Sequence, residues 1–496
     1  MIYENQYYKD IIEAVGNAQS MTKIITDIIE ANGTRDNEMI ALWDRYSGNV
    51  AIKNRTFTDT TKPNNKLVND YRGVLIQQIV GYLFGNPVKY QLDPVVYADK
   101  YIEYDLALQT FLKRNNYEEL DASMENYLAV CGKSFRLCFY ADIFDATAAA
   151  DEKIELIMKN IRPWEATIIR NPVTDEIDYG MIYYDFDVVD EKGKVTTLKR
   201  IEWYDKINVY YYIQDDKDYV EDYLVENAVQ VHQFNYVPLV EFANNALYKG
   251  DFEKIESLID AMDIALSDSV NDLENFSNAY LAFFGVEPDS DMLKSAKSSG
   301  AFYVPRNSGE DSANDVKFIT KDINPDYFKE LVNILNDRIW KFAAGVDMSD
   351  ESFSGAAQTG VSRRYKLFGL EIKAREKERL YVKSLRDLFK VLTSFWISVK
   401  NIQINYEDIK YIFTRYIPTD LSVQELVMLR GVLSDEAILS TLPSDVVPNV
   451  QVEMARVVAQ NAAAGSNISL DNIGTAEVSE PTTTEPVIPE VPTDAV

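Results

Sequence analysis

Two groups of carboxylates have the residue types for metal-assisted chemistry: Asp260, Asp263 and Asp268 in one run, and Asp347, Asp350 and Glu351 in another. Gathered on Mg2+, such side chains generate a hydroxide nucleophile and stabilise a phosphoryl transition state, so either group is a candidate nuclease centre. Composition supplies a plainer reading. The 496-residue chain has 79 Asp and Glu against 50 Lys and Arg, a formal net charge of −29; acidic neighbours then arise from abundance, as a solvated helix face in the first case and a polar loop in the second. Other chemistries meet firmer obstacles. A Ser/His/Asp arrangement would have to use His232, the single histidine, and no nucleophile elbow accompanies it, so His232 reads as structural or surface. Cys131 and Cys138 are the two cysteines; with one histidine they make no zinc site, and across an expected strand over 134–140 they are too far apart to bridge. Both read as buried free thiols of a reducing compartment. Cys131-Gly132-Lys133-Ser134 ends like a phosphate loop, but the glycine required five positions before Gly132 is Tyr127, and a helix precedes and a strand follows, the reverse of the required order. Gly132 reads instead as a helix C-cap. No catalytic residue, metal site or cofactor is assigned.

Positive charge is concentrated in Arg363, Arg364, Lys366, Lys373, Arg375, Lys377, Arg379, Lys383, Arg386 and Lys390, against Glu371, Glu376, Glu378 and Asp387. The element that carries it is a long helix: from Val361 the apolar Tyr365, Phe368, Ile372, Val382, Leu385, Phe389, Leu392 and Trp396 continue without a proline, about 55 Å at 1.5 Å per residue. Pairs such as Glu371 with Arg375 suit a solvated helix. Before it, GVDMSDESFSGAAQTG (Gly345 to Gly360) has neither helical stripe nor strand alternation and is expected to be a mobile loop. Before the loop a helix begins after Asn324-Pro325, carries Phe328, Leu331, Leu335 and Ile339, and ends near Ala343-Ala344-Gly345. A third helix is expected from Asp251 to Asn278, with Phe252, Ile255, Leu258, Ile259, Met262, Leu266, Val270 and Leu273 on one face. Between the last two lie strands at 279–284, 301–304 and 316–319, a short helix at 292–297 and a polar linker at 307–315.

Residues 1–60 read as helical pieces alternating with polar turns. The first convincing amphipathic helix is 64–85, with Leu67, Tyr71, Leu75, Ile79 and Tyr82 on one stripe and Gly85-Asn86-Pro87 as its stop. A short strand follows at 88–92, then one or two helices over 101–129. Strands rich in β-branched and aromatic residues are expected at 154–161, 166–170, 177–188, 195–203, 207–213 and 223–234, with Asp190-Glu191-Lys192-Gly193 as a hairpin turn; the 32 tyrosines fit such a β-rich lobe. A strand within 402–416 and short helices at 422–430, 434–439 and 451–461 come next. From Gly465 the chain is Ser, Thr, Pro and Glu rich, with Asp471, Glu477, Glu480, Glu485, Glu490 and Asp494 and no Lys or Arg, a composition that does not fold alone. The start MIYENQYYKD lacks the pattern of a secretory signal, and no window is apolar enough to span a membrane.

Several blocks, in order and at family spacing, resemble the portal proteins of tailed double-stranded-DNA phages of the siphovirus type. They are NNKLVNDYRGVLIQQIVGYLFGNPVKYQ (Asn64 to Gln91), VPLVEFANN (Val237 to Asn245) leading into DFEKIESLIDAMDIALSDSVNDLENFSNAYLAFFG (Asp251 to Gly285), and TGVSRRYKLFGLEIKAREKE (Thr359 to Glu378). The resemblance implies an α+β, portal-type elongated subunit. Its parts are a wing at 1–250, a first stem helix at 251–278, a clip at 279–323 and a second stem helix at 324–344. A tunnel loop at 345–360, a long helix at 361–400, a helical crown at 401–465 and an acidic tail at 466–496 complete it. It implies a ring of about twelve copies built on heterologous contacts, at one vertex of the virion capsid, assembled in the host cytoplasm, through which double-stranded DNA is packaged, retained and ejected without sequence readout. Implied partners are a terminase motor, head-completion or adaptor proteins, scaffold and major capsid proteins; no membrane is involved, and the chain itself is not an enzyme. The tunnel loop would comprise Gly345, Val346, Asp347, Met348, Ser349, Asp350, Glu351, Ser352, Phe353, Gln358 and Gly360. Arg363, Arg364, Lys366 and Lys373 would pair with the acidic 251–278 helix of a neighbouring subunit or lie near DNA phosphate, the latter for those nearest the loop. Clip docking would use Asp289, Lys294, Lys297, Arg306, Glu310 and Lys317. A net acidic subunit suits a channel, because a strongly basic lining would trap DNA through counterion release. The competing classes are a Mg2+-dependent nuclease and a monomeric β-rich surface-binding protein, which needs no ring.

Overall fold

In the computed structural model the residues described are 5–15, 18–59, 62–142, 154–189, 193–276, 280–284, 315–319, 325–348, 366–415, 434, 438–439, 447 and 450–463. They are a mixture of helix and sheet of the α+β kind. The chain divides into two compact units, residues 1–416 and 417–496.

Helix α1 (Asn5–Ala14) leads into α2 (Ala18–Tyr46), a single 29-residue helix where helical pieces and turns were expected. Asn32 and Gly33 do not break it, because the apolar set continues in helical register across them: Ile24, Ile25 and Ile28 before, Met39 and Leu42 after, all buried. Gly33 faces open space. Helix α3 (Tyr71–Phe84) begins seven residues later than its expected start, with Asp70 as N-cap accepting from Gly73 N. The stretch before it is extended and docks on a later helix.

Strand β1 (Lys89–Leu92) precedes α4 (Tyr101–Arg114) and α5 (Tyr117–Cys131). Gly132 caps α5 at φ +90°, its N–H donating to Leu128 O; a Cβ there would lie 2.2 Å from Tyr248 O, so only glycine fits. Strand β2 (Lys133–Asp142) then pairs with β3 (Ile154–Ile161). A larger antiparallel sheet follows from β4 (Ala166–Arg170), β5 (Ile177–Val189), β6 (Val195–Tyr204), β7 (Asn208–Asp215) and β8 (Asp218–Glu221), with β9 (Val229–Val231) also on β7. The strand expected over 223–234 is thus confined to three residues. β10 (Leu239–Ala243) returns to pair with β2. Helices α1 and α2 cover one face of the larger sheet through Ile169, Met181, Ile201 and Trp203, and Phe135, Leu137, Ile182 and Leu239 fill the space between the two sheets.

Helix α6 (Glu256–Phe276), preceded by a 3-10 turn at Glu253–Ile255, leaves the expected start at Asp251 outside the helix. Strands β11 (Tyr280–Phe284) and β12 (Asp315–Ile319) form an antiparallel ribbon, Ala282 opposite Lys317. The helix and strand expected at 292–297 and 301–304 lie outside the described residues. Helix α7 (Pro325–Ala343) matches its expected bounds and ends at Ala344, φ +54°. Helix α8 (Phe368–Phe395), about 42 Å long at 1.5 Å per residue, passes into a π-turn at Trp396–Lys400. It is the central rod of the main core, contributing Tyr381, Leu385, Leu388, Phe389, Leu392 and Phe395 among side chains from α4, α5, β1 and β10. Strand β13 (Ile409–Ile412) pairs with β1, more than 300 positions away in the sequence. In the second unit, helix α9 (Val450–Ala463) agrees with the helix expected at 451–461; the other expected crown helices, apart from Ile438–Leu439, lie outside the described residues.

Candidate functional site

The described start of the 345–360 segment is held closely. Gly345 sits where an added Cβ would come within 2.6 Å of Leu75 and 2.9 Å of Trp340. Val346 is bonded on both sides of its backbone by one amide: its N–H donates to Gln78 Oε1 at 2.8 Å and its carbonyl accepts from Gln78 Nε2 at 2.8 Å. Asn336 Oδ1 accepts from Tyr71 OH and from Trp340 Nε1, and Asn336 Nδ2 donates to Asp347 at 3.1 Å. The start of the loop expected to be mobile is thus held: α3 bonds the Val346 backbone, α7 bonds the Asp347 side chain, and Met348 is the first exposed residue after them.

Beside this start lies a buried charge cluster. Lys377 of α8, 4% exposed, places Nζ 2.6 Å from Glu125 Oε1 and 2.9 Å from Asp251 Oδ2, with Asn244 as a further partner. Lys373, one turn earlier, lies 3.3 Å from Asp251 and donates to Ala343 O at 3.1 Å, a favourable place for a cation at the C-terminus of α7. Burial opposes ionisation of all four groups, and the opposite charges restore it unequally. Burial dominates for Glu125, raising it above the usual carboxylate range, and for Lys373, lowering it; Asp251 is held below its ordinary value by the two lysines, and Lys377 above its own by the two acids. One turn further along α8, Tyr381 donates to Asp121, which also accepts from Arg136 and Tyr90.

The acidic face of α6 is not a solvated surface. Arg72, 1% exposed, bonds Glu256 at 2.8 Å and Asp260 at 2.9 Å; Arg45 joins the same pair, and Arg55 meets Asp268 at 2.7 Å. The extended residues before α3 dock on the next face. The N–H groups of Asn65, Leu67 and Asn69 donate to Asn271, Ser267 and Asp263 at 2.7, 2.9 and 2.8 Å. The spacing explains the fit: two residues of extended chain advance about 6.6 Å and four of helix about 6 Å, so alternate N–H groups meet every fourth α6 side chain. This ladder is why 64–70 is not helical; with the arginine pairs it takes Asp260 and Asp263 out of a wet face or a metal cluster, while Asp268 pairs with Arg55 and stays exposed. No group of residues suited to a metal occurs among the described residues.

Of the expected tunnel-loop set, Gly345, Val346, Asp347 and Met348 are described; Ser349, Asp350, Glu351, Ser352, Phe353, Gln358 and Gly360 lie outside the described residues, as do Arg363 and Arg364. Lys366 is half-buried. Lys373 is engaged within its own chain, with Asp251 and the Ala343 carbonyl. Other cations of α8 also find partners inside the chain: Lys390 with Glu176 at 2.9 Å, Lys383 with Asp175 at 3.7 Å, and Arg375 with Glu371 at 2.7 Å. Arg379 and Arg386 are not buried. Lys317 falls on β12, and Asp289, Lys294, Lys297, Arg306 and Glu310 lie outside the described residues. His232 is buried, and Cys131 and Cys138 are buried free thiols pushed up to about 12 by burial.

Gln78, Asn336, Glu125 and Asp251 were not singled out from sequence. Lys377 left a signal: it stands on the stripe Leu370, Ala374, Tyr381, Leu385 and Leu388, where a cation needs a buried counter-charge. Residues 26–465 match a protein family described as phage portal protein, SPP1 Gp6-like. The chain is 24% identical over 396 residues to the portal protein of Clostridium phage phiCD119, a match covering 77% of this chain and 85% of that one. It is likewise 24% identical over 420 residues to the portal protein of Bacillus phage SPP1, covering 80% and 76%.

Proposed function

Because the chain belongs to the SPP1 Gp6-like family of phage portal proteins, we propose that it assembles as a closed ring of about twelve copies at one capsid vertex, forming the channel for genome packaging, retention and ejection. The observation that carries this reading is the family match across 26–465. Two features support it. Helices α6 and α7 bracket the β11–β12 ribbon, as stem helices bracket a clip. The long helix α8 follows the segment read as tunnel loop, residues 345–360.

In this reading residues 1–250 form the wing, 279–323 the clip that docks the terminase motor and head-completion proteins, and 401–465 the crown. The 345–360 segment meets DNA, with Arg363, Arg364 and Lys366 near phosphate; Arg379 and Arg386 are available to a neighbouring subunit. The net charge of −29 keeps the channel from holding DNA by counterion release. Scaffold and major capsid proteins surround the ring in the virion. No helix among the described residues is long and apolar enough to cross a membrane.

The test is mass and shape of the purified protein, by light scattering and negative-stain microscopy at moderate salt. Rings of about twelve subunits with a central hole are expected. A discrete monomer or dimer at high protein concentration would overturn the ring.

A further inference from the structure

One face of α3 touches the end of α7, the first residues after it, and the start of α8. Tyr71 bonds Asn336 near the end of α7, Leu75 packs on Gly345, and Gln78 bonds both backbone groups of Val346. Tyr82, one turn beyond Gln78, donates to Glu371 at 2.8 Å, near the start of α8. Residues 346 and 371 are thus gripped from points about 6 Å apart along one helix. Glu371 is fixed further by Arg375 and Arg415.

We propose that α3, through Gln78 and Tyr82, is the positioning element that fixes Val346, just after α7, relative to Glu371, near the start of α8. The chain is held through Asp347 by α3 as well as by α7, and Glu371 is held by α3 on the far side. Glutamine suits this position because its amide supplies one acceptor and one donor at the spacing of a peptide group, so it binds Val346 as a neighbouring strand would. Glutamate keeps the acceptor and sets a second oxygen against the Val346 carbonyl; alanine loses both bonds.

The positional claim rests on geometry alone, and its link to DNA rests on the portal reading, so the test has two arms. In the first, amide hydrogen exchange is followed in the intact protein for wild type, Gln78→Ala, Gln78→Glu and Tyr82→Phe. Gln78→Ala should speed exchange at Val346 at least about tenfold, Gln78→Glu by less, and Tyr82→Phe should act on the 366–375 region and not on Val346. Wild-type exchange at Val346 in Gln78→Ala would overturn the proposal, and so would equal effects of Gln78 and Tyr82 substitution at both places, which would mean general loosening of α3. In the second arm, the Gln78→Ala, Tyr82→Phe double variant is assembled into particles. Intact rings that retain less DNA are expected; full retention despite altered exchange would leave the anchor standing and remove its role in the channel.

Discussion

At the scale of single residues, polar groups in the interior are matched to one protonation state. His232 is buried, with Nε2 2.9 Å from Asp205 O and Nδ1 accepting from Phe234 N at 3.2 Å. Only the neutral ring with its proton on Nε2 satisfies both. Burial lowers the pKa of His232, while Asp205 O partly offsets it. A folded-state pKa below the unfolded value of about 6.5 gives stability that is present above that pH and lost as pH falls below it. Wild type should therefore lose stability relative to His232→Gln as pH drops from about 7.5 to 5.5, as followed by urea unfolding at a series of pH values. Parallel curves for the two proteins would show that the ring is not held neutral. Being the single histidine made His232 conspicuous in the sequence; that its role is structural depends on Asp205 and Phe234 closing around it.

At the scale of elements, the stretch 64–70 reverses its local pattern. Leu67, Tyr71, Leu75, Ile79 and Tyr82 satisfy a helical stripe, yet helix begins only at Tyr71, and Leu67 is 40% exposed. The first turns give up helical bonds because α6 offers three acceptors at the right interval, an arrangement that a periodicity count along one segment does not contain. Ser267 is the middle rung and fully buried. Ser267→Ala should strand the Leu67 N–H and cost about 1–3 kcal/mol, seen as a lower urea midpoint together with faster proteolysis within 60–70. An unchanged midpoint and cleavage rate would mean the ladder is not what holds this stretch. The 29-residue α2 makes the converse point: polar residues at its middle suggested turns, but Asp36 is buried against Tyr183 OH and the helix continues through them.

At the scale of the whole molecule, remote parts of the chain are joined by a few interior contacts. Lys377 links α5 through Glu125 with the chain leading into α6 through Asp251, and Lys373 extends the link to the end of α7. Removing one charge leaves its opposite buried without a partner, so Lys377→Met should destabilise the protein by about 3–5 kcal/mol, partly recovered by adding Glu125→Gln. Urea unfolding checks it; a loss under about 0.5 kcal/mol, typical of a surface site, would show that water or rearrangement replaces the lysine. The same cluster changes the meaning of the basic helix. Its excess of cations is directed partly inward, toward acids of its own chain.

By itself the sequence determined the local elements and, through ordered blocks of resemblance, the family. Helix α7, the C-cap at Gly132, strands β4 to β7 and the short strand near 90 follow from periodicity and turn residues, which depend on near neighbours. Tertiary structure alone decided what each polar group faces: β1 against β13, Gln78 against Val346, Asp263 against Asn69, Lys377 against Glu125. These pairings join residues hundreds of positions apart, and a charge or amide looks the same in sequence whether it meets water or a buried partner. The acidic face of α6 and the basic face of α8 were both visible as patterns; only packing showed how far each is used within the chain.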